Sequence, residues 1–167
     1  MIYCSEACFG MKNISIHEGM TLSCPDSFRV MTLEELNKIS ASHYPNRFGI
    51  WDEEARIMLS FIWHKINVMA VSLTDPRRNL YGVEMQMRHM LQPFGYKKTG
   101  SQKRQIAGRK AKGFSYEYQV NGQYQSGEVF LFKNGRNFYT LYTYAWEPME
   151  GEVQERIHRI VDSIRFQ

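Results

Sequence analysis

The feature that most constrains the fold is a stretch of alternating residues from Gly108 to Trp146, which two Asn-Gly pairs divide into three runs rich in aromatic side chains. Alternation of apolar and polar residues indicates β-strands. An Asn-Gly pair between two such runs favours a two-residue type I′ hairpin, because both central positions need a positive φ. The stretch therefore predicts a three-stranded antiparallel meander.

The two Asn-Gly pairs also predict which residues face each other across the meander. With Asn121-Gly122 as the first turn, the pairs are Val120 with Gln123, Tyr118 with Gln125, Tyr116 with Gly127 and Phe114 with Val129. With Asn134-Gly135 as the second turn, they are Lys133 with Arg136, Leu131 with Phe138, Val129 with Thr140 and Gly127 with Tyr142. Gly127 then leaves room for the rings of its two partners, because it has no side chain.

Successive strand residues point to opposite sides of a sheet, so the meander has one strongly apolar face and one mixed face. The apolar face is predicted to lie in the core, and its larger side chains are Phe114, Tyr116, Tyr118, Val129, Leu131, Phe138, Tyr142, Tyr144 and Trp146. The mixed face alternates polar residues with Tyr124, Phe130, Phe132, Tyr139 and Leu141, which leaves open whether it is covered or exposed for binding. Tyr124, Phe130 and Tyr139 are therefore candidate interaction residues, and the tyrosine-rich end from Tyr142 to Trp146 is a second place of functional interest.

Helical periodicity predicts three helices outside the meander. Thr32 caps a short helix, and Glu35 completes a capping box. A longer helix begins after Thr74 or Asp75 and stops at Gly95. The residues expected to face the core are Leu33, Leu36 and Ile39 in the first helix, and Leu80, Val83, Met87, Met90, Leu91 and Phe94 in the second. In the last helix they are Val153, Ile157, Ile160, Val161 and Ile164.

Short alternating runs predict further strands before the meander. Two lie around Glu18-Gly19, and one from Ile57 to His64 is apolar enough to be covered on both faces. We therefore predict an α+β fold in which an antiparallel β-sheet of about six strands, ending in the meander, is sandwiched by helices. The chain of 167 residues has no repeat or linker, and we expect a single domain over residues 12–167 after a loose N-terminal segment over residues 1–11.

Composition narrows the class of protein. The net charge of +4 favours acidic partners only weakly. Three cysteines, Cys4, Cys8 and Cys24, are too few and odd in number for a disulfide scaffold, and no second ligand pair follows Cys4 and Cys8 at metal-binding spacing. No run approaches the roughly 18 apolar residues of a membrane span, and the first residues lack the pattern of a secretory signal. We therefore predict a cytoplasmic protein without a cofactor, a metal or a membrane span.

No catalytic motif is recognisable. The segment GRKAKG does not end in Lys-Ser or Lys-Thr as a phosphate loop would, and the five histidines are scattered. His64 is interpreted as a structural histidine, and Glu117 and Glu128 as diagonal neighbours on a solvated sheet face. The sequence thus predicts a protein that is not an enzyme.

One charge feature is prominent. The segment from Lys97 to Lys112 contains seven cations and no acidic residue: Lys97, Lys98, Lys103, Arg104, Arg109, Lys110 and Lys112. Such a run can contact phosphates, with nearby aromatic side chains stacking on bases. Lysines on an edge strand also discourage edge-to-edge pairing, and that interpretation is favoured because no known nucleic-acid motif accompanies the run.

Three short segments carry a resemblance to a known family. They are GMTLSCPDSF from Gly19 to Phe28, AGRKAKGFSYEY from Ala107 to Tyr118, and RIVDSIRF from Arg159 to Phe166. In these and in the order of its elements, the chain resembles the PsbP-like α/β sandwich superfamily, which includes photosystem II extrinsic subunits, a Ran-binding nuclear import factor, and bacterial lipoproteins and uncharacterised proteins. It departs from that pattern by having Leu22 and Phe28 at the two aromatic positions of the opening segment, and by lacking a lipoprotein or export signal. The resemblance implies helices on both sides of the sheet and a binding role.

Three hypotheses on function follow. The first is a non-catalytic adaptor, bacterial and cytoplasmic, that acts through contacts with another protein. The second is a nucleic-acid-binding protein that uses the segment from Lys97 to Lys112. The third is a protein that binds a small molecule in a cleft lined by tyrosine and tryptophan, with His64 or Glu117 as polar groups.

Overall fold

Ten β-strands and three α-helices make up the part of the chain that the computed structural model describes, namely residues 10–39, 45–67, 69 and 76–167. The strands are β1 (Met11–His17), β2 (Met20–Pro25), β3 (Arg29–Val30), β4 (Arg47–Asp52), β5 (Ile57–Lys65), β6 (Lys97–Ile106), β7 (Arg109–Val120), β8 (Gln123–Asn134), β9 (Asn137–Ala145) and β10 (Arg165–Phe166). The helices are α1 (Leu33–Ile39), α2 (Pro76–Leu91) and α3 (Gly151–Asp162).

The strands form two antiparallel sheets. The larger has seven strands in the order β3-β4-β5-β9-β8-β7-β6, and the smaller has three in the order β1-β2-β10. This is the α+β fold with an antiparallel sheet that the sequence predicts, but with more strands than expected. Met11 already belongs to β1, whereas residues 1–9, with Cys4 and Cys8, lie outside the described residues.

The first turn of the meander confirms the predicted register. Val120 pairs with Gln123 and Tyr116 with Gly127. Asn121 and Gly122 have φ angles of 52° and 75°, so both central positions of the turn are left-handed as a type I′ hairpin requires.

The second predicted register is wrong by two residues. Asn134 pairs with Asn137, so the two loop residues are Gly135 and Arg136 rather than Asn134 and Gly135. Gly135 has a φ of 58° and Arg136 lies outside the left-handed region, which is the pattern of a hairpin with glycine at the first central position. A shift of two residues keeps every side chain on its predicted face, because the strand repeat is two.

The large sheet is covered on both faces, by different elements. The face predicted to lie in the core packs against α2, and its buried members include Phe114, Val129 and Leu131. The mixed face lies against β2 and α3 in the larger apolar cluster, where Phe130 and Tyr139 are each 1% exposed. The expectation that Phe130 and Tyr139 form an interaction surface is therefore wrong. Cys24 is buried in the same cluster.

The helices follow most of the predicted signals. Thr32 N–H donates to Glu35 Oε2 at 2.8 Å and Glu35 N–H donates to Thr32 Oγ1 at 3.3 Å, which confirms the capping box of α1. Helix α2 continues into a short 3₁₀ turn and ends at Gly95, with a φ of 71°. Thr74 and Asp75 lie outside the described residues.

Two predicted core residues of α2 and the 3₁₀ turn that follows it are exposed instead. Met90 and Phe94 are 41% and 43% exposed, because α2 turns only one narrow face to the sheet. Leu33 and Ile39 of α1 are exposed as well, and only Leu36 of that helix is buried. Exposed apolar side chains thus accompany both helices.

The prediction that Glu128 lies on a solvated face of the sheet is wrong, because Glu128 is fully buried. His158 Nε2 lies 2.8 Å from its Oε2, and Gln154 Nε2–H₂ donates to its Oε1 at 3.2 Å. Both partners belong to α3, so a buried carboxylate fixes that helix on the sheet.

We predict that Gly127→Ala destabilises the protein by about 1–3 kcal/mol, because the added methyl group overpacks a filled site. A Cβ at Gly127 would lie 2.7 Å from Tyr116 Cζ and would overlap the Thr143 carbonyl oxygen. Urea unfolding measures the change. The matched control is Gly82→Ala, which meets nothing within 4 Å in α2 and should raise the free energy of unfolding by about 0.5–1 kcal/mol. Equal stability of the two variants would contradict the described packing at Gly127.

Candidate functional site

A groove of about 450 Å³ opens on the α2 face of the large sheet. Its walls come from α2 and from Ile39 at the end of α1, and its floor comes from strands of the sheet. The other residues that line it are Met58, Ser60, Ile62, Gln86, Met87, Met90, Leu91, Tyr116, Tyr118, Tyr142, Tyr144 and Trp146.

Strand pairing places the floor residues side by side. Met58 of β5 pairs with Tyr144 of β9, and Ser60 pairs with Tyr142. Paired residues share a face of the sheet, and the period of two adds Ile62 to the same side. The floor is therefore a patch of methionine, isoleucine and tyrosine across two adjacent strands.

Helix α2 forms a wall because its helical spacing turns one flank towards this patch. Met87 and Leu91 lie one turn apart and reach into the groove, and Met87 is buried against the sheet. Gln86 and Met90 also lie one turn apart and form the outer part of the wall. Methionine side chains are flexible and polarisable, so this wall can adapt to the shape of an occupant.

The tyrosines stack on one another at the inner end of the groove. The rings of Tyr116 and Tyr118 are 6.2 Å apart and nearly parallel, and those of Tyr118 and Tyr144 are 6.5 Å apart. The hydroxyl of Tyr116 donates to the Thr143 carbonyl at 3.1 Å, and that of Tyr144 donates to Gln125 Oε1. These bonds satisfy the hydroxyl groups of Tyr116 and Tyr144, so these two residues present mostly the apolar faces of their rings to the groove.

Burial is the main cause that raises the pKa of Tyr116, Tyr118 and Tyr144 above the ordinary value of 10.0. All three phenols are therefore neutral at physiological pH. The described residues that line the groove include no Asp, Glu, Lys, Arg or His. Outside the lining, the guanidinium of Arg56 lies 4.6 Å from the centre of the Trp146 ring. The groove can therefore hold an apolar group, and the polar groups of its lining are uncharged hydroxyl, amide and indole groups.

The basic segment is divided between the two faces of the β6–β7 hairpin. Lys98, Lys103 and Lys112 point to the α2 face. Lys98 pairs with Tyr116, Lys103 pairs with Lys112, and Lys112 also pairs with Leu131. Paired residues share a face of the sheet, and Tyr116 and Leu131 lie on the α2 face. Lys110 is on the same side, two residues before Lys112. The remaining cations, Lys97, Arg104 and Arg109, lie on the opposite face.

Two cations of the opposite face have acidic partners. Lys97 Nζ is 3.8 Å from Glu117 Oε1, and the Arg104 guanidinium forms an ion pair with Asp162 of α3. The guanidinium of Arg104 also lies 5.5 Å from the Phe130 ring. The sequence segment is therefore not one continuous surface.

The other predicted polar groups stay outside the groove. Tyr124 is half-buried and donates to Glu117, and burial together with this bond raises the pKa of Tyr124 to about 12. His64 is exposed and stacks on Phe138 with ring centres 5.4 Å apart. The sequence predicted His64 or Glu117 as polar groups of a cleft that binds a small molecule. Neither residue lines the groove, so the polar groups of the groove differ from those predicted.

Sequence reasoning identified one end of the groove and missed the rest. The tyrosine-rich end from Tyr142 to Trp146 lines it as part of the predicted site of interest. Met58, Met87 and Met90 were not predicted as site residues, and the sequence signals only the last two, through the three methionines of α2. Among the described residues, no group of three or more His, Cys, Asp or Glu side chains could hold a metal ion, and no helix has the length and apolar character to cross a membrane.

Comparison with known proteins identifies the fold. No protein-family model and no curated sequence matches the chain. The solution structure of cyanobacterial PsbP (CyanoP) from Synechocystis sp. PCC 6803 has a TM-score of 0.71 and 13% identity, and the match covers 98% of this chain and 96% of that one. A crystal structure from Bacteroides thetaiotaomicron VPI-5482 has a TM-score of 0.57 and 9% identity over 92% of this chain and 47% of that one, so this chain spans about half of its length. The chain has a PsbP-like fold, as the sequence resemblance predicted.

We predict that the tyrosines of the folded protein ionise in two stages as pH rises. The raised pKa of Tyr116, Tyr118 and Tyr144 means that the unfolded chain loses these protons near pH 10 while the folded chain keeps them. Their contribution to stability is therefore complete below pH 10 and is lost as pH rises from there towards the folded-state pKa. Phenolate absorbance against pH, with and without urea, measures both effects.

Tyr144→Phe serves as the comparison for this titration. It should remove one phenol from the stage at high pH, in which the buried tyrosines ionise, and none from the stage near pH 10. If all tyrosines of the folded protein ionise together near pH 10, the burial that raises these pKa values is contradicted.

Proposed function

We propose that the protein is a non-catalytic binding protein that holds an apolar segment of a partner protein in the groove. The observation that carries this proposal is the uncharged lining of methionine and tyrosine, which is open to solvent on a face of the sheet that α2 covers only in part. The cytoplasmic, bacterial setting stays a prediction from the sequence.

The rim of the groove favours a polypeptide as the occupant. Ile39 on one side and Met90 on the other are 47% and 41% exposed, so apolar surface continues from the floor to both rims. Leu33 in the same short helix as Ile39 is exposed as well. Contiguous apolar surface of this kind marks interaction sites, and a chain segment covers floor and rim together where a small molecule covers only the floor.

Flexible methionines suit a protein partner for a second reason. A wall that contains Met87 and Met90 can repack around side chains of different shape, as methionine-rich binding grooves do. The stacked tyrosines opposite supply large, rigid contact area whose polar ends are already satisfied. Affinity would therefore come from apolar burial, with little dependence on salt.

A small apolar molecule is the second candidate, and the volume of the groove supports it. About 450 Å³ lies within the range of pockets that bind small ligands. The polar groups that could orient such a ligand are few, chiefly Ser60 and Gln86. The two candidates differ in what binds, so one experiment distinguishes them.

We predict that Met90→Glu weakens binding of an apolar peptide at least about tenfold, because it places a charge on the wall of an uncharged groove. The probe is a labelled peptide with leucine and phenylalanine at helical spacing, followed by fluorescence anisotropy. Met85→Glu is the matched control, since Met85 is 43% exposed on the same helix and does not line the groove. We expect it to change the affinity less than about twofold.

Loss of binding in both variants, or in neither, would contradict the assignment of the groove. The neutral dye N-phenyl-1-naphthylamine, measured in parallel, tests the second candidate. If the dye binds in a Met90-dependent manner and no apolar peptide does, the small-molecule function replaces the proposed one.

A further inference from the structure

We infer that the β6–β7 hairpin carries a second binding surface, which contacts the phosphate backbone of a double-stranded nucleic acid. The surface consists of Lys98, Lys103, Lys110 and Lys112 and is called the lysine face below. It is separate from the groove, because no residue of the lysine face lines the groove.

The two faces of the β6–β7 hairpin differ, since one carries buried apolar residues and the other carries lysines. On the side that faces the larger core, Ile106 and Ala111 are buried in the apolar cluster. On the other side Lys103 lies directly opposite Lys112, and Lys110 lies opposite Gln105. Burial of one side fixes the orientation of the ribbon, so the lysines of the other side are held towards solvent.

The charge of the lysine face is not neutralised within the described part of the chain. Lys97 and Arg104 have Glu117 and Asp162 as partners, whereas no acidic side chain of the described residues forms an ion pair with a residue of the lysine face. The sequence between Lys97 and Glu117 contains no Asp or Glu. An anion would therefore meet this surface without displacing an internal partner.

Protection of a sheet edge does not explain this arrangement. Of the two hairpin strands only β6 lies at an edge of the sheet, whereas Lys112 lies on β7 and pairs with Lys103 on one side and Leu131 on the other. Like charges directly opposite each other in a ladder destabilise a sheet. An anion bound between them removes that cost, which favours a binding role for the pair.

The spacing of the lysines favours a nucleic acid over an acidic protein. Lys110 and Lys112 are two residues apart on one strand, roughly 6–7 Å, which is close to the repeat of phosphates along a nucleic-acid strand. Lys103 adds a third charge across the ladder, about 5 Å from its partner. The ring of Phe114, which lies beneath Lys98 Nζ, is fully buried. The lysine face therefore offers contacts to backbone phosphates rather than an aromatic ring on which bases could stack. Duplexes display their phosphates in this way, and a two-stranded ribbon fits their major groove.

The test uses a labelled DNA duplex of mixed sequence and measures affinity by anisotropy between about 50 and 200 mM salt. We expect the wild-type protein to bind with a slope of log K against log salt of about −3, as for three or four neutralised phosphates. Lys103→Gln, Lys110→Gln and Lys112→Gln together should lower the affinity at least about tenfold and bring the slope towards zero. All three side chains project from the folded ribbon, and thermal unfolding confirms that the variant is folded.

The control variant replaces Lys12, Lys38 and Lys65 by Gln and lowers the net charge by the same three units. These lysines lie on other elements, and the last two pair with Glu34 and Glu18. We expect the control to bind DNA within about threefold of wild type. Equal loss in both variants would show an effect of net charge alone and overturn the inference. Absence of binding at the lowest salt would overturn it, as would stronger binding to polyglutamate or to anionic vesicles than to the duplex.

Discussion

Strand β8 is buried on both faces over eight consecutive residues, from Gln125 to Phe132, and the other layers are arranged around it. Val129 packs towards α2, whereas Phe130 packs towards the three-stranded sheet and α3. At two positions of this strand the residue is matched to groups on neighbouring elements. Gly127 leaves space for the Tyr116 ring, and the Glu128 carboxylate is satisfied by groups of α3. Loss of these partners would leave the buried carboxylate unsatisfied, so polar satisfaction constrains the position of α3 in addition to apolar packing.

The groove follows from how the helices share the other face of the sheet. Helix α2 lies over β7 and β8, and α1 lies over β4. Strands β5 and β9 lie between these two covers, and Met58, Tyr142 and Tyr144 on this face therefore keep partial exposure. Tyrosine and methionine occupy those positions, since they combine apolar area with tolerance of a partly wet surface. A fold built to cover β8 on both sides thus leaves an apolar depression beside it.

Local signals in the sequence were sufficient to predict the helices, the faces of the strands and the register of one hairpin. They failed to predict features that depend on contacts between elements distant in sequence. Asn121-Gly122 set a correct register because the turn itself requires two left-handed residues. At the second turn Gly135 occupies the first loop position instead of the second. An Asn-Gly dipeptide is compatible with both arrangements, so it does not distinguish between them. Phe130 and Tyr139 could not be recognised as core from the meander alone, because β2 and α3, which cover them, come from near the two ends of the chain. The groove was predictable only at its tyrosine-rich end for the same reason: β5, β9 and α2 contribute to it from separate parts of the sequence.

The two proposed binding surfaces lie near different parts of helix α2 and would act through different forces. One flank, with Gln86 and Met90, is a wall of the uncharged groove. Another side of the same helix carries Glu84, whose carboxylate accepts hydrogen bonds from Arg88 at 2.8 Å and from the Tyr96 hydroxyl at 3.3 Å, just before β6 begins. Because Arg88 neutralises Glu84, the helix presents no unpaired carboxylate to the lysines of the neighbouring hairpin. Apolar burial governs the groove and is insensitive to salt, whereas the lysine face acts through charge that salt screens. Occupation of one surface would therefore have no direct electrostatic effect on the other, so the same PsbP-like fold could carry both.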